Sequence, residues 1–480
     1  MRDFRLEFSP FSFVALQEGI VYKQANEHST AYVKGIIHHS DFESYRELSV
    51  RDQHLPFTIT AIGSEEETVT VFQGVTTCIR LQKTGNVTTM TIEAKSGSYL
   101  MDIFERFRSF QDESLTHSVV LEQIGQPYMD YSYILKTGTG EPVVASGSVT
   151  QVIQDMPLKQ FTVQYWETDW AFAKRLASRL GTCLVPADTA EGVKFYFGVP
   201  HLAAHVLDDT TDYEIKKDYT VADDKKRYGL EDAGEIDAIS YLVRLRDIYQ
   251  IGDLVEFLGM HLYVACAETV LHGQELMHCY HLRPRHGLRT ARYQNDRMIG
   301  ASLDAQVVAV ERDEVQVQIT EDQNTEQKLV KWFPFATVYS SPDGTGWYCM
   351  PEIGDQVRVY IPNNEEAHAV VFNALHVASG ARNNPDIKSM RTKHGKEIRF
   401  TPNTLVMTNN TGMEISIIDN EGIRIDSNRN IFIKADGNID ISSGAGLSML
   451  AADSVVVQQG GTSLVIDDNI AFVGGKLRMQ

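Results

Sequence analysis

Across residues 415–457 apolar side chains recur as pairs separated by two, and the pairs repeat every eight residues: Ile415/Ile417, Ile423/Ile425, Ile431/Ile433, Ile439/Ile441, Leu447/Met449 and Val455/Val457. Leu464/Ile466, Ile470/Phe472 and Leu477/Met479 continue the series with a slip of register. Turn formers such as Asn420, Gly422, Asn428, Asn430, Gly437 and Gly444 lie between the pairs. Residues i and i+2 of a strand point to the same side, so each octad reads as one short strand with a single buried face, followed by a corner. A solenoid closed within one chain needs roughly three times that length per coil to enclose a core, so other chains must supply the missing faces. The pattern predicts an intertwined triple-stranded β-helix, a homotrimer whose axis is filled by these twelve residues from each chain and whose strand edges are paired by neighbours. With strands ~4.8 Å apart, six to nine octads make a narrow rod of roughly 30–45 Å.

The preceding residues read differently. Up to about residue 290 short strands dominate, with period-2 stretches at 69–72 and 89–92. One helix is expected over 169–180: Thr168 as N-cap, Asp169 at the positive end, an apolar stripe of Trp170, Ala173, Leu176, Ala177 and Leu180, and Gly181 as the stop. Residues 216–235 are charged and aperiodic, which predicts a surface loop or a join between subdomains. Ile251-Gly252-Asp253 and Ile353-Gly354-Asp355 open two similar phrases, each a tight turn before a strand with Val255/Phe257 or Val357/Val359 facing a core. Residues 298–376 offer five strands (305–310, 315–319, 347–350, 357–361 and 369–372), enough for a small closed barrel. The expected organisation is a mainly β chain: barrel-like modules at 1–150 and 151–292 with few helices, a barrel at 298–376, and the octad segment at 395–480.

Composition narrows the function classes. With 44 Lys+Arg against 64 Asp+Glu in 480 residues the net charge is −20, and no long basic run offsets it, which excludes nucleic acid as an expected partner. No segment approaches the ~18 apolar residues of a membrane span, and residues 11–16 are too short for the apolar core of a signal peptide. Cys78, Cys183, Cys266, Cys279 and Cys349 are odd in number and far apart, as expected of free thiols in a reducing cytoplasm. The densest set of metal-ligand types, Cys266, His272, His278, Cys279, His281 and His286, sits on strands whose alternation sends His278 and Tyr280 to one side and Cys279 and His281 to the other. No metal, cofactor or catalytic residue is therefore expected, and no GxSxG, HExxH or P-loop motif is present.

Three elements together resemble the VgrG-type hub and spike proteins of contractile injection systems, relatives of phage late control D and baseplate spike proteins. The first is the stretch from Glu167 through Thr168, Asp169, Trp170, Phe172, Arg175 and Leu176 to Gly181, which looks like that family's E-T-D-W helix. The second is Trp347 followed by Pro351, Gly354, Asp355 and Val357, similar to its tryptophan and P-x-x-G-D-x-V in an OB-fold. The third is the octad tail. The resemblance implies a non-catalytic homotrimer: a hub ring that docks a hexameric inner tube and baseplate proteins, an OB-fold linker, and a spike that pierces a target envelope mechanically when a sheath contracts. Synthesis and assembly are expected in the cytoplasm, with delivery outward as part of the particle. Only about twenty residues separate the barrel from the tail, too few for an inserted lysozyme domain, and no histidine follows His394 to build an iron-bearing tip. The resemblance instead implies that a separate PAAR-like tip protein caps an end formed by Phe472, Leu477 and Met479. The competing readings are a β-helical tailspike or depolymerase that binds and cleaves surface glycans, and a trimeric adhesin.

Overall fold

The computed structural model describes residues 5–50, 54–63, 67–135, 155–200, 202–272, 275–375, 382–466, 468, 470–473 and 476. The chain divides into two compact units, Met1–Val377 and Ala378–Gln480.

In the first unit the strands run β1 (Arg5–Ser9), β2 (Ala15–Gln24), β3 (Thr30–Ile36), β4 (Pro56–Ile62), β5 (Thr68–Thr84) and β6 (Val87–Ser96), with helix α1 (Phe42–Ser49) in the β3–β4 connection. β7 (Glu105–Phe110), α2 (His117–Gly125), β8 (Ser132–Leu135), β9 (Thr162–Thr168), α3 (Asp169–Arg179), β10 (Leu184–Pro186) and β11 (Lys194–Phe197) follow. Next come β12 (Ala204–Val206), β13 (Tyr213–Lys217), α4 (Tyr219–Arg227), α5 (Glu235–Ala238), β14 (Ile239–Leu245), β15 (Leu254–Phe257), β16 (Met260–His272) and β17 (Glu275–Arg283). A single sheet runs β1-β4-β5-β6-β3-β2-β16-β17-β14-β13, with β15 and β12 branching from β16. Its midpoint is the antiparallel β2–β16 ladder, where Val21 lies opposite Thr269.

Alternation along these strands builds two cores on one sheet. Val33, Phe57, Phe72 and Ile92 fill the first, joined by Leu271 and Leu276 from β16 and β17. Val243, Val255, Phe257, Val264, Tyr280 and Leu282 fill the second. The expected division at residue 150 lies outside the described residues, and the first core draws on strands far beyond it.

The third segment of this unit is a five-stranded sheet in the order β20-β19-β18-β21-β22, from β18 (Ala301–Glu311), β19 (Glu314–Ile319), β20 (Phe333–Pro334), β21 (Gln356–Ile361) and β22 (Val370–Leu375). A bridge from Phe335 to Val371 brings the two edges together, which closes the barrel. Its core of Ala305, Val307, Val317, Phe333, Val357, Val359 and Val371 also takes in Phe107 of β7, Val163 of β9 and Phe161 just before it.

Two expectations are corrected. Residues 347–350 are not a strand; the short strand is Phe333–Pro334, and Trp347 and Tyr348 are solvent-exposed rather than alternating about a core. The expected loop at 216–235 contains α4 and the first residue of α5. α4 buries only Ala222 and Lys225, so its sequence carries no apolar stripe to betray it.

The second unit is two antiparallel meanders: β23 (Lys388–Arg391), β24 (Glu397–Phe400), β25 (Thr404–Thr408), β26 (Met413–Ile418) and β27 (Gly422–Ser427), then β28 (Val455–Gln459), β29 (Thr462–Ile466) and β30 (Ile470–Val473). Val406 is its one buried apolar side chain among the described residues.

Candidate functional site

Helix α3 is built as its sequence dictates. The Thr168 hydroxyl accepts a hydrogen bond from the Ala171 amide at 3.1 Å, satisfying one of the orphan donors of the first turn. At the other end Gly181 takes φ +64°, and the Thr182 amide reaches back to the Ala177 carbonyl at 3.1 Å, the six-to-one closure that a left-handed residue permits. Trp170, Phe172 and Leu176 are buried together, with Phe172 stacked on Phe110 and Trp170 edge-on to Phe195. Asp169 is fully buried and accepts from Arg108 (2.5 Å), Tyr128 (2.6 Å) and Gln164 (2.8 Å). These residues thus fasten one helix to β7, β9 and the turn after α2.

Arg175 and Arg179 extend the fastening to the barrel. Arg175 donates to Glu167 and to Glu366, each at 2.6 Å, and Arg179 reaches the other oxygen of Glu366 at 2.6 Å. Glu366 lies in the short turn before β22 and is 1% exposed. Burial alone would raise its pKa, but the Arg175 and Arg179 charges outweigh that and hold the carboxyl at about 2. Glu366 was invisible in the sequence: it lies 191 residues from Arg175, in a stretch with no motif.

Both Gly-Asp phrases form the same turn. Gly252 and Gly354 have φ +92° and +94°, and the following aspartates accept the amides of Gln250 and Glu352, each at 2.8 Å. Val255, Phe257, Val357 and Val359 then enter their cores, as alternation requires. Pro351 is buried beside the second turn, whereas Trp347 stays 55% exposed in the preceding loop. On β17, His278 and Tyr280 share a buried face and their rings stack at 5.6 Å, while Cys279 and His281 take the other face.

In the second unit the first two octads lie on paired strands, but residues 428–454 form no strand, which corrects the expectation of one strand per octad. In a single chain the octads Ile431/Ile433, Ile439/Ile441 and Leu447/Met449 have no neighbouring strand to pair with. Ile417 lies opposite Leu405 on one side and Ile423 on the other; Ile415 lies opposite Met407 and Ile425. These strands pair within the chain, whereas the octad argument assigned their edges to neighbouring chains. Ile415, Ile417, Ile423 and Ile425 are exposed, as are Ile431, Ile433, Ile439, Ile441, Leu447, Met449 and Val457; Val455 is half-buried. Exposure reaches 73% at Ile433, and eleven of these twelve residues are exposed within one short segment. Phe472 belongs to β30, but its side chain, like Leu477 and Met479, lies outside the described residues.

Residues 303–376 match the family model of the type VI secretion system/phage-baseplate injector OB domain, so the closed barrel is an OB-fold of that kind. Among solved structures, the chain is similar to the Escherichia coli c3393 protein, described as a type VI secretion component with structural similarity to T4 bacteriophage tail proteins gp27 and gp5. That match has a TM-score of 0.54 at 11% identity and covers 78% of this chain and all of that one. It is also similar to the Francisella PdpA-VgrG complex in its lidded form, at TM-score 0.54 and 10% identity, covering 89% of this chain and 80% of that one. At such identities the likeness is one of fold. Comparison with curated proteins yields no match.

Proposed function

We propose that this chain is the hub and spike of a contractile injection machine, a non-catalytic homotrimer that links an inner tube to a piercing tip. The observation that carries the reading is the set of apolar octad residues over 415–457 that a single chain leaves in water, all of them exposed except half-buried Val455. Burying a large apolar side chain releases ~1.5–3 kcal/mol, so twelve such residues per chain give a strong drive toward a shared axis. The eight-residue period fixes three as the economical number of chains. An injector OB domain immediately upstream of such a segment supports the order hub, linker, spike. The Arg175/Arg179–Glu366 clamp suits a body that transmits axial force from the α3 region into that barrel without hinging.

In this reading the unit containing β1–β17 docks a hexameric tube and baseplate proteins, and the C-terminal end around Phe472, Leu477 and Met479 receives a separate tip protein by strand addition. The assembled particle is built in the cytoplasm and delivered outward. The spike pierces mechanically; among the described residues no helix is long and apolar enough to cross a membrane. Mass measurement and electron microscopy of the purified chain test the reading together: a particle of three chains with a ring-shaped head and a thin stem is expected. Replacing Ile431 by Asp would bring three carboxylates onto the axis and abolish that particle. A variant that still forms a stable trimer of native mass would sink the threefold-axis assignment.

A further inference from the structure

A cavity of about 670 Å³ opens in the first unit between the β2–β16–β17 sheet, helix α4 and the segment after β17. In a chain of net charge −20 its walls are basic: Lys216, Lys225, Arg283, Arg289 and Arg292 line it, against Asp224 and Asp296. Most of these cations have partners. Lys225 donates to Asp237 at 3.2 Å and to the Gly287 carbonyl at 2.9 Å; Arg289 reaches Asp232 at 2.7 Å and Asp237 at 3.3 Å; Arg292 meets Glu365 at 3.5 Å.

Arg283 is different. Its guanidinium makes no hydrogen bond or ion pair among the described residues, and its Nε is buried with no acceptor. The Nε of Arg289 is likewise buried and unpaired. A buried donor without an acceptor costs about 1–3 kcal/mol, more when charged, and both arginines line this cavity, where an oxyanion would meet the donors their neighbours leave over. Asp218, the carboxylate whose charge acts on Arg283, is already taken up by the Thr220 amide and hydroxyl. Burial pushes the Arg283 pKa down.

We propose that this cavity is a binding site for a phosphate-bearing small molecule, with Arg283 and Arg289 as principal donors. A tetrahedral dianion has enough oxygens to meet donors arriving from a strand, a helix and a loop, which a single carboxylate does not. The phenol rings of Tyr22, Tyr228 and Tyr293 in the same walls leave room for an organic portion of the ligand.

The test uses the full chain with inorganic phosphate, pyrophosphate and, as the carboxylate arm, acetate, all at ionic strength matched with chloride. Saturable binding by calorimetry, with a rise in melting temperature, is expected for phosphate and pyrophosphate. Arg283→Gln should weaken it by roughly ten- to a hundredfold, the worth of one charge-assisted hydrogen bond. Arg289→Gln supplies an independent variant should the first fail to fold. Absence of saturable phosphate binding, undiminished binding in a folded variant, or acetate binding as tight as phosphate would each overturn the proposal.

Discussion

Glu366 shows how one side chain can tie distant parts of a fold together. With Arg175 on one oxygen and Arg179 on the other, removing its charge leaves Arg175 with Glu167 and deprives Arg179 of its carboxylate partner. Glu366→Gln should therefore cost about 3–5 kcal/mol in thermal or urea unfolding, the usual penalty for breaking one side of a buried ion pair. The same group sets a pH limb. Its folded pKa, about 2, lies below the ordinary 4.5, so its contribution is complete above pH 4.5 and is lost as pH falls toward 2, amounting to about 3 kcal/mol. His278 sets a second limb at milder acidity. Burial, and secondarily the Lys23 charge, push its pKa to about 4, and its Nε2 is buried without a partner while Nδ1 meets the Thr269 hydroxyl at 2.7 Å. The folded protein holds it neutral, so stability is full above pH 6.5 and falls by about 3 kcal/mol on the way to pH 4. His278→Asn should flatten the unfolding free energy between pH 6.5 and 4 and leave the lower limb in place; a curve of unchanged shape would contradict the assignment.

At the scale of elements, the two Gly-Asp turns offer a matched comparison. Asp253 is buried and accepts from the Gln250 amide, the Ala203 amide at 3.0 Å and His205 at 3.0 Å. Asp355 is half-buried and its side chain accepts from Glu352 alone among the described residues. Asp253→Ala strands buried donors and should cost about 2–3 kcal/mol, whereas Asp355→Ala should cost about 1 kcal/mol, both read from urea midpoints. These turns were legible in the sequence because a left-handed glycine and a capping carboxylate act within four residues. Helix α3 was legible for the same reason: cap, stripe and stop are all local. Helix α4 was not, since its exposed, charged face leaves no apolar period, and the supposed strand at 347–350 was misread because exposed aromatic residues mimic a half-buried alternation. The site was half legible. Thr168 to Gly181 announced a packed helix, but the pairing of Arg175 with Glu366 depends on how the chain returns after 191 residues, which no local pattern encodes. The octads announced an apolar face, and the single chain adds that neighbouring octads already pair as a hairpin at Ile417 and Ile423.

For the whole molecule, charge and apolar area pull in opposite directions. In the proposed trimer three chains of −20 would carry about −60, so encounter would be repelled at long range, while the apolar octads would reward contact only at short range. Salt separates the two terms. The Debye length falls from about 30 Å at 0.01 M to about 8 Å at 0.15 M, which screens the repulsion between approaching chains and leaves apolar burial nearly untouched. Assembly of dilute, freshly refolded chains should therefore speed up as salt rises over that range, followed by light scattering, whereas the dissociation rate of the finished trimer should change little. Substitutions on the octad strands sharpen the test. Asp440 lies between Ile439 and Ile441, and in the proposed spike strand it would point away from their face, so Asp440→Ala should hasten assembly slightly at low salt and shift stability by less than ~0.5 kcal/mol. Ile439→Asp should prevent assembly at every salt concentration, because no screening by ions in water repays a carboxylate placed on a dry axis. If salt slowed assembly instead, contacts between opposite charges on different chains would have to dominate the interface, and the apolar axis would lose its place as the force that holds the three chains together.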